Sequence, residues 1–254
     1  MVIQSVERAT SIISLFSSSR SALGISEIAL ALNLNKATVW GLVTTLEKQR
    51  FLRQDPDTRK YRIGPKLLEL GIAYESSLEL NARAARRVRA LASRTRMEVR
   101  AGIWEEGAVL ITLLALPRAA DMLSHQVGPR VPAHCSGVGK ALLAFLEPDE
   151  LERYLRTTPL GRHTRNTITS ADKLRKDLEQ TRERGYSISR EEMVPGLAAL
   201  GAPIFGKKRQ LEGAVSVSDL DTLEKFTGWR LEKLADELLR TASQISQDMG
   251  YQRA

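Results

Sequence analysis

Apolar residues recur at helical spacing in three segments among the first fifty residues of the 254-residue chain. In residues 4–16 they form one face, and the serine-rich run that follows is typical of a loop. Ser26 is a suitable N-cap for a second helix at 27–32, and Asn35 for a third helix at 36–50. Each segment has a single apolar stripe, which predicts three helices packed around one core.

The pattern then changes to short alternating segments. Residues 51–53 are short and strand-like, and residues 59–63 alternate polar and apolar side chains, as half-buried strands do. The sequence DPDT at 55–58 between them has strong turn chemistry. Three helices followed by a basic two-stranded hairpin are typical of a winged helix-turn-helix. Residues 66–95 have helical composition, which suits either a linker helix that pairs with a second copy or an ordinary surface helix.

From residue 97 onward, predicted strands and helices alternate with short connections. The pattern predicts a hairpin at 99–116, helices at 137–146, 149–156, 171–184 and 228–249, and strands at 185–189, 199–205 and 211–217. Such a mixture indicates a sheet that carries helices. We therefore expect an α+β chain with a winged helix-turn-helix domain at 1–65, a linker helix region at 66–96 and a larger α/β domain at 97–254.

Positive charge is concentrated at one end of the chain. The net charge is +8, and residues 1–96 contain 16 Lys/Arg and 8 Asp/Glu, whereas residues 97–254 contain 22 of each. This asymmetry favours a polyanion such as nucleic acid as the partner of the N-terminal part. It also suits a solvated basic face without a partner.

Composition argues against two classes of protein. No apolar run approaches the ~20 residues that a membrane span needs, so no membrane partner is expected. No long apolar run follows the charged N-terminus, so a secretory signal is not expected either. Because Cys135 is the single cysteine, an internal disulfide is impossible, and a reducing cytoplasm is the expected location.

The outward face of the third predicted helix carries the candidate DNA contacts. In a helix-turn-helix this helix lies in the major groove, and outward residues near its N-terminus reach base edges. Turning the apolar stripe inward leaves the following outward set: Lys36, Thr38, Trp40, Gly41, Thr44 and Thr45. Thr38 suits a base contact and Lys36 a phosphate contact. At the hairpin tip, Arg59 and Lys60 are expected at the minor groove or its phosphates.

Two members of this set have alternative explanations. Trp40 suits stacking against sugar and base, but it equally suits packing against the wing or a neighbouring protomer. Gly41 costs ~1 kcal/mol relative to alanine inside a helix. Close approach to the DNA backbone would explain this glycine, and so would sequence drift without a function.

Motifs along the whole chain carry a family resemblance. In the N-terminal part they are QSVERA at 4–9, SEIA at 26–29, KATV at 36–39, YRIG at 61–64 and LLELG at 67–71. In the C-terminal part they are VGPRVPAH at 127–134, GKALLA at 139–144, RGY at 184–186, EE at 191–192 with Gly196, AP at 202–203 and SVS at 216–218. In the order and spacing of these motifs the chain resembles the IclR family of bacterial transcriptional regulators nearly from end to end.

The resemblance implies a ligand-responsive DNA-binding regulator, of the kind that represses a catabolic operon and is relieved or modulated by a small organic acid. It implies a GAF-like effector domain, a homodimer built through the N-terminal region and often a dimer of dimers on double-stranded operator DNA. The effector is commonly a carboxylate or an aromatic acid. Family effector contacts carry over to these positions: Gly137, Val138, Ser189, Leu197, Ala199, Ser216 and Ser218.

The chain departs from the family pattern at four of these candidate positions. The family usually has His, Arg or Tyr followed by Arg where this chain has Trp40 and Gly41. Ala199 replaces a frequent cysteine, and Ser189 replaces a frequent aspartate. The operator sequence and the effector of a relative therefore do not transfer to this chain.

The residues themselves also indicate a polar pocket. In the predicted strand at 214–218, Ser216 and Ser218 share one face and the valines share the other. Their hydroxyls need partners when buried, either from a ligand or from nearby backbone. The sequence GVG at 137–139 begins a helix, where free N–H groups suit a carboxylate, although glycine there also permits tight packing. Arg100 and His125 are two further candidates for facing a ligand.

Other chemistry is not expected. The sequence SGVGK at 136–140 lacks the P-loop glycine at 134 and the Ser or Thr at 141, which argues against nucleotide hydrolysis. His134 and Cys135 with His125 or His163 match no standard zinc spacing, so no metal, cofactor or catalytic residue is predicted. Two alternatives to the regulator remain: an enzyme with a hydrolase-like C-terminal domain and an accessory basic domain, and an architectural DNA-binding protein without an effector.

Overall fold

A computed structural model describes residues 2–17, 19–117, 130–220 and 226–252. The candidate His125 lies outside these ranges, as do residues 127–129 of the motif at 127–134. The chain divides into two units, Met1–Ser77 and Leu78–Ala254. The first half of the segment 66–96 therefore belongs to the N-terminal unit, and the second half belongs to the C-terminal unit.

The N-terminal unit has the predicted three helices and hairpin. The helices are α1 (Gln4–Ser14), α2 (Ile25–Leu32) and α3 (Lys36–Lys48), and the antiparallel strands are β1 (Leu52–Gln54) and β2 (Tyr61–Ile63). Their apolar stripes meet in one core, in which Ile12, Ile28 and Val43 are fully buried. The winged helix-turn-helix prediction is therefore confirmed.

One of the two predicted helix caps is wrong. The Asn35 side chain accepts the Thr38 N–H at 2.7 Å, so it caps α3 as expected. However, α2 begins at Ile25 with Gly24 as its N-cap, so Ser26 lies inside the first turn. The reason is that Glu27 reaches back and accepts the Gly24 N–H at 2.7 Å, which fixes the helix start two residues earlier than the serine suggested.

The helical stretch predicted at 66–95 consists of two helices. Helix α4 (Pro65–Ser77) and helix α5 (Glu79–Thr95) are separated by Leu78, whose backbone is extended with φ −77° and ψ 114°. No residue of α4 is buried, whereas α5 buries an apolar face that includes Leu80, Val88 and Leu91. Packing of this face against the C-terminal sheet makes α5 a core helix of the second unit.

The C-terminal unit is built on a six-stranded antiparallel sheet in the order β5-β4-β3-β8-β7-β6. The strands are β3 (Glu98–Glu105), β4 (Ala108–Ala115), β5 (Arg130–Val131), β6 (Ser187–Arg190), β7 (Leu197–Phe205) and β8 (Leu211–Leu220). The predicted hairpin is β3–β4, and its turn holds Glu106 and Gly107 at positive φ. The sequence did not predict β5, because its two residues are too few to show a period.

Helices cover both faces of this sheet. Helices α5 and α9 (Gly228–Asp248) pack on one face against Val99, Val215 and Val217. On the other face lies α6 (Gly137–Phe145), and α7 (Pro148–Thr157) and α8 (Ala171–Arg184) pack beside it. This is the expected GAF-like arrangement. In the described ranges of the chain, none of the helices is long and apolar enough to cross a membrane.

The first turn of α6 approaches the middle of β7 very closely. A Cβ atom on Gly201 would lie 2.1 Å from the carbonyl oxygen of Gly137, and a Cβ atom on Gly137 would lie 3.0 Å from the Cβ of Ala199. The Ser187 hydroxyl of β6 donates to the same Gly137 carbonyl at 2.5 Å. Small residues on β7 are therefore what allow the helix to dock at this point.

Substitution of this glycine tests the contact. We expect Gly201→Ala to lower the free energy of unfolding of the C-terminal unit by about 1–3 kcal/mol, because the new methyl group overlaps backbone that cannot move alone. Chemical denaturation followed by tryptophan fluorescence measures the change. Gly71→Ala is the control, since a Cβ there meets nothing within 4 Å on α4. Equal stability of Gly201→Ala and the unmodified protein would contradict the close approach.

Candidate functional site

The outward face of α3 carries the predicted DNA contacts. Lys36, Trp40, Gly41 and Thr45 are exposed, and Thr38 and Thr44 are half-buried. The opposite side of the helix buries the following residues: Val39, Val43 and Leu46. All six candidates on this helix therefore share the face that the apolar stripe leaves to solvent.

The surroundings of Trp40 and Gly41 remove one of the earlier alternatives. Trp40 is 60 % exposed, so it does not pack against the wing of its own unit. A Cβ atom on Gly41 would meet nothing within 4 Å, so packing inside the unit does not require glycine there. The outward face of α3 therefore presents the exposed ring of Trp40 next to Gly41, which has no side chain.

The hairpin tip presents one cation more freely than the other. Arg59 is exposed and has a positive φ of 57° at the end of the turn. Lys60 is half-buried, and its Nζ lies 3.2 Å from a carboxylate oxygen of Glu27 on α2. Both residues precede β2 rather than belonging to it. Arg59 is therefore the better placed of the two to reach a phosphate.

A cavity lies between the first turn of α6 and the face of the sheet opposite α5 and α9. Its empty volume is about 490 Å³, including the part open to solvent. All eight effector candidates within the described residues line it, together with five residues that were not predicted. The lining is Glu98, Arg100, Val131, Cys135, Ser136, Gly137, Val138, Ser189, Met193, Leu197, Ala199, Ser216 and Ser218.

Strand register explains why polar side chains collect on the cavity floor. Glu98 is paired with Ser218, and Arg100 with Ser216, across the β3–β8 ladder. Because side chains alternate between the faces of a sheet, these four share one face and the valines between them face α5 and α9. The alternation predicted for residues 214–218 is confirmed.

Two charges on the floor neutralise each other. The Arg100 Nε lies 2.6 Å from Glu98 Oε1, and the two side chains are only 11 % and 14 % exposed. The Ser218 hydroxyl donates to the same Glu98 oxygen at 3.3 Å. Burial weakens screening by water, so this pair forms a strong local dipole inside the cavity. The floor therefore offers both an anionic acceptor and a cationic donor, with no net charge.

The other serines differ in how their hydroxyls are used. Ser189 donates to the Cys135 carbonyl at 2.8 Å, so it fixes the segment before α6. Ser216 is 4 % exposed, and its hydroxyl has no hydrogen-bond partner in the described part of the chain. Ser136 caps α6 by accepting the Gly139 N–H, which leaves the N–H groups of Gly137 and Val138 outside the helical bonding pattern. Several lining residues therefore carry donors that the described hydrogen bonds leave unused.

A buried ion cluster supports the next turn of α6. The Lys140 side chain is fully buried, and its Nζ lies 2.7 Å from Glu192 Oε1 and 3.1 Å from Asp177 Oδ2. Burial raises the pKa of Glu192, although Lys140 opposes the shift. Because Lys140 is held by these carboxylates, it cannot serve a bound phosphate, which agrees with the rejection of a P-loop. The cluster joins α6 and α8 to the loop between β6 and β7.

Several residues of this site were missed by sequence reasoning. Glu98 and Met193 belong to the lining, and Lys140 and Glu192 belong to its support. A signal existed for Lys140, because a lone lysine in an otherwise apolar helix needs a buried anionic partner. Glu98 also had a signal, since it occupies the same strand face as Arg100. Nothing local indicated Met193, because the loop at 191–196 has no period.

The single thiol lies beside two imidazole rings. Ligand atoms of His134, Cys135 and His163 all lie within 4.8 Å of one another. Burial raises the pKa of the Cys135 thiol to about 12, so the sulfur is protonated at neutral pH and is a poor nucleophile. Burial also lowers the pKa of His134. The arrangement therefore lacks the thiolate that Cys–His catalysis uses.

Comparison with known families decides the class of protein. Residues 5–56 match the family model described as the IclR helix-turn-helix domain. Residues 72–247 match the model described as the C-terminal domain of bacterial transcriptional regulator IclR. The chain belongs to the IclR family. It is therefore a helix-turn-helix DNA-binding transcriptional regulator, and the matched relatives are named as regulators, not as enzymes.

Relatives of this IclR-family protein are similar over nearly their whole length. The HTH-type transcriptional regulator XynR of Escherichia coli K12 is 30% identical over 252 residues, which cover 98% of each chain. The HTH-type transcriptional repressor AllR of the same strain is 31% identical over 97% of this chain and 90% of its own. The crystal structure of an IclR transcriptional regulator from Alicyclobacillus acidocaldarius has a TM-score of 0.84 at 26% identity, covering 97% of this chain and 99% of that one.

The ion cluster of this IclR-family protein gives a prediction about stability. We expect Lys140→Met to lower the free energy of unfolding by about 3–5 kcal/mol, because the buried Glu192 carboxylate and the half-buried Asp177 carboxylate lose their cation. Urea denaturation followed by tryptophan fluorescence measures the change. The double variant Lys140→Met/Glu192→Gln is the control and should recover part of the loss, since it removes one of the two uncompensated charges. A loss below about 1 kcal/mol would mean that the cluster is solvated.

Proposed function

We propose that this IclR-family regulator binds operator DNA through α3 and the wing, and that a small organic acid in the cavity of the second unit modulates this binding. The observation that carries the proposal is the cavity itself. Eight candidates, on four different strands and one helix, line a single space. We therefore propose a DNA-binding surface in the N-terminal unit and an effector site in the C-terminal unit of the same chain.

The DNA-binding part rests on the outward face of α3 and on charge. This face combines a cation at the helix start, Lys36, with hydroxyls that suit base edges, Thr38 and Thr44. Arg59 adds a cation at the hairpin tip. The N-terminal unit, residues 1–77, contains 10 Lys/Arg and 7 Asp/Glu, an excess that suits a polyanion partner.

The effector part rests on the donors and acceptors of the cavity. The N–H groups of Gly137 and Val138 at the start of α6, with the Ser216 hydroxyl, suit a carboxylate. The Glu98 carboxylate favours a ligand that also carries a hydroxyl or another donor. Apolar side chains suit the carbon skeleton of such a ligand: Val131, Val138, Met193 and Leu197. A hydroxylated carboxylic acid therefore satisfies both ends of the site.

Self-association is proposed through the N-terminal unit. Helix α4 has no buried residue, and it exposes the following apolar side chains: Leu68, Leu70, Ile72 and Tyr74. Exposed apolar side chains of this kind, here on two sides of the helix, are expected to be covered by a second copy, giving a homodimer that matches a two-fold symmetric operator. A dimer of dimers is the further assembly that we propose.

The direction of regulation is proposed from the relatives. AllR is named as a repressor, and we assign the same role to this chain, with the organic acid relieving repression of a catabolic operon. The site of action is the cytoplasm, where operator DNA is available. The absence of a reactive thiolate beside His134 argues against the enzyme alternative, and a response to a ligand would exclude an architectural role without an effector.

The DNA contacts give a prediction about salt dependence. We expect Lys36→Gln to reduce the slope of log K against log salt concentration by about 0.9, because one phosphate contact is lost. Thr38→Val should reduce discrimination between the operator and unrelated DNA by about 1 kcal/mol, because a single neutral hydrogen bond to a base is lost. Fluorescence anisotropy with fragments of the protein's own promoter region measures both. Lys173→Gln on α8 is the charge-matched control. Equal salt slopes for the unmodified protein, Lys36→Gln and Lys173→Gln would contradict the assignment of Lys36 to a phosphate contact.

The cavity gives a prediction about ligand response. Hydroxylated carboxylic acids should raise the unfolding temperature, since a ligand at ten times its dissociation constant adds ~1.4 kcal/mol by mass action. Ser216→Ala should weaken this response while operator affinity without ligand stays unchanged. Glu98→Gln should reduce the preference for hydroxylated acids over the corresponding acids without a hydroxyl. If no acid stabilises the protein or alters its DNA binding, the effector proposal is wrong while DNA binding stands.

A further inference from the structure

Three ligating side chains converge beside the cavity although they are far apart in sequence. His134 and Cys135 precede α6, and His163 lies in the connection between α7 and α8. One ring nitrogen of each histidine and the sulfur of Cys135 lie within 4.8 Å of one another. His134 and Cys135 are buried and His163 is exposed, so the group is open to solvent on one side. We call these three residues the His–Cys–His cluster.

The hydrogen bond of His134 leaves one ring nitrogen available to a metal. Its Nε2 lies 2.9 Å from the carbonyl oxygen of Gly161. A carbonyl only accepts hydrogen bonds, so Nε2 carries the proton and Nδ1 keeps its lone pair. A metal-binding histidine commonly donates its second ring N–H to a backbone carbonyl in this way, which fixes the tautomer and the ring orientation.

The connection that carries His163 is held firmly in place. The backbone N–H of His163 donates to the Thr167 hydroxyl at 3.0 Å, and that hydroxyl in turn donates to the backbone carbonyl of Glu192 at 2.6 Å. The Thr164 hydroxyl donates to the Glu191 carbonyl at 2.5 Å. These bonds fix the backbone of the connection, while the exposed ring of His163 keeps rotational freedom.

We infer that the His–Cys–His cluster is a binding site for a divalent transition-metal ion with the preferences of zinc. Two imidazole nitrogens and one thiolate are ligands that zinc accepts at about 2.0–2.3 Å. Binding forms one metal–sulfur and two metal–nitrogen bonds, and it breaks the S–H bond of Cys135, whose proton goes to solvent. The fourth position is left to water. Such an ion would join the segment before α6 to the connection between α7 and α8.

Cobalt(II) is the sharpest probe because the chain has one cysteine. A thiolate-to-cobalt charge-transfer absorption band in this protein has only Cys135 as its source. The full-length protein, prepared without a histidine tag and treated with chelator, should develop this band with a saturating stoichiometry of one ion per chain. Zinc should then displace cobalt and abolish the band. Absence of a thiolate band at stoichiometric cobalt would overturn the inference.

Variants separate a built site from incidental binding. Cys135→Ser should abolish the band, and His163→Gln should weaken cobalt affinity by at least about tenfold, as loss of a ligand should exceed the loss of a supporting contact. Asn166→Ala, an exposed neighbour in the same connection, should bind as the unmodified protein does. Zinc should raise the unfolding temperature of the unmodified protein and not that of His163→Gln. Equal affinity of His163→Gln and the unmodified protein would overturn the inference even if a band is present.

Discussion

The C-terminal unit depends on the close approach of α6 to β7. Backbone of Gly137 lies so near to Gly201 that no side chain fits between them, and the hydroxyls of Ser187 and Ser189 hold the segment 135–137 from β6. This contact fixes where the helix begins. Because the helix begins there, its first N–H groups lie over the polar floor of β3 and β8, and the cavity exists between them. The site is thus a consequence of small residues on two neighbouring strands.

The excess of positive charge extends across the boundary between the two units, because the arginines of α5 belong to the C-terminal unit. The first 96 residues contain twice as many cationic as anionic side chains, and the rest of the chain is balanced. Balance in the C-terminal part is also local, since Arg100 is paired with Glu98 and Lys140 with two carboxylates. Buried charges are costly without partners. A small ligand that enters the cavity therefore encounters oriented dipoles and not an unpaired charge.

Much of this organisation could be predicted from the sequence. The features that could not be predicted have physical explanations. Periods of 3.6 and 2 residues gave the three N-terminal helices, the wing, the β3–β4 hairpin and the polar face of β8, since each is a local pattern. The break at Leu78 was missed because the residues around it have no strong helix breaker. The pairing of Glu192 with Lys140 and the approach of His163 to His134 and Cys135 could not be predicted, because these residues are distant in sequence and only the folded chain brings them together.

The alternation of β3 and β8 has a consequence for how such a protein diversifies. One face of these two strands is occupied by valines and alanines that hold α5 and α9, and the other is occupied by side chains that line the cavity. The backbone hydrogen bonds between β3 and β8 do not depend on which side chains face the cavity. A lineage can therefore exchange the residues at 98, 100, 216 and 218 for others and recognise a new metabolite, while the core on the reverse side of the same strands is inherited unchanged.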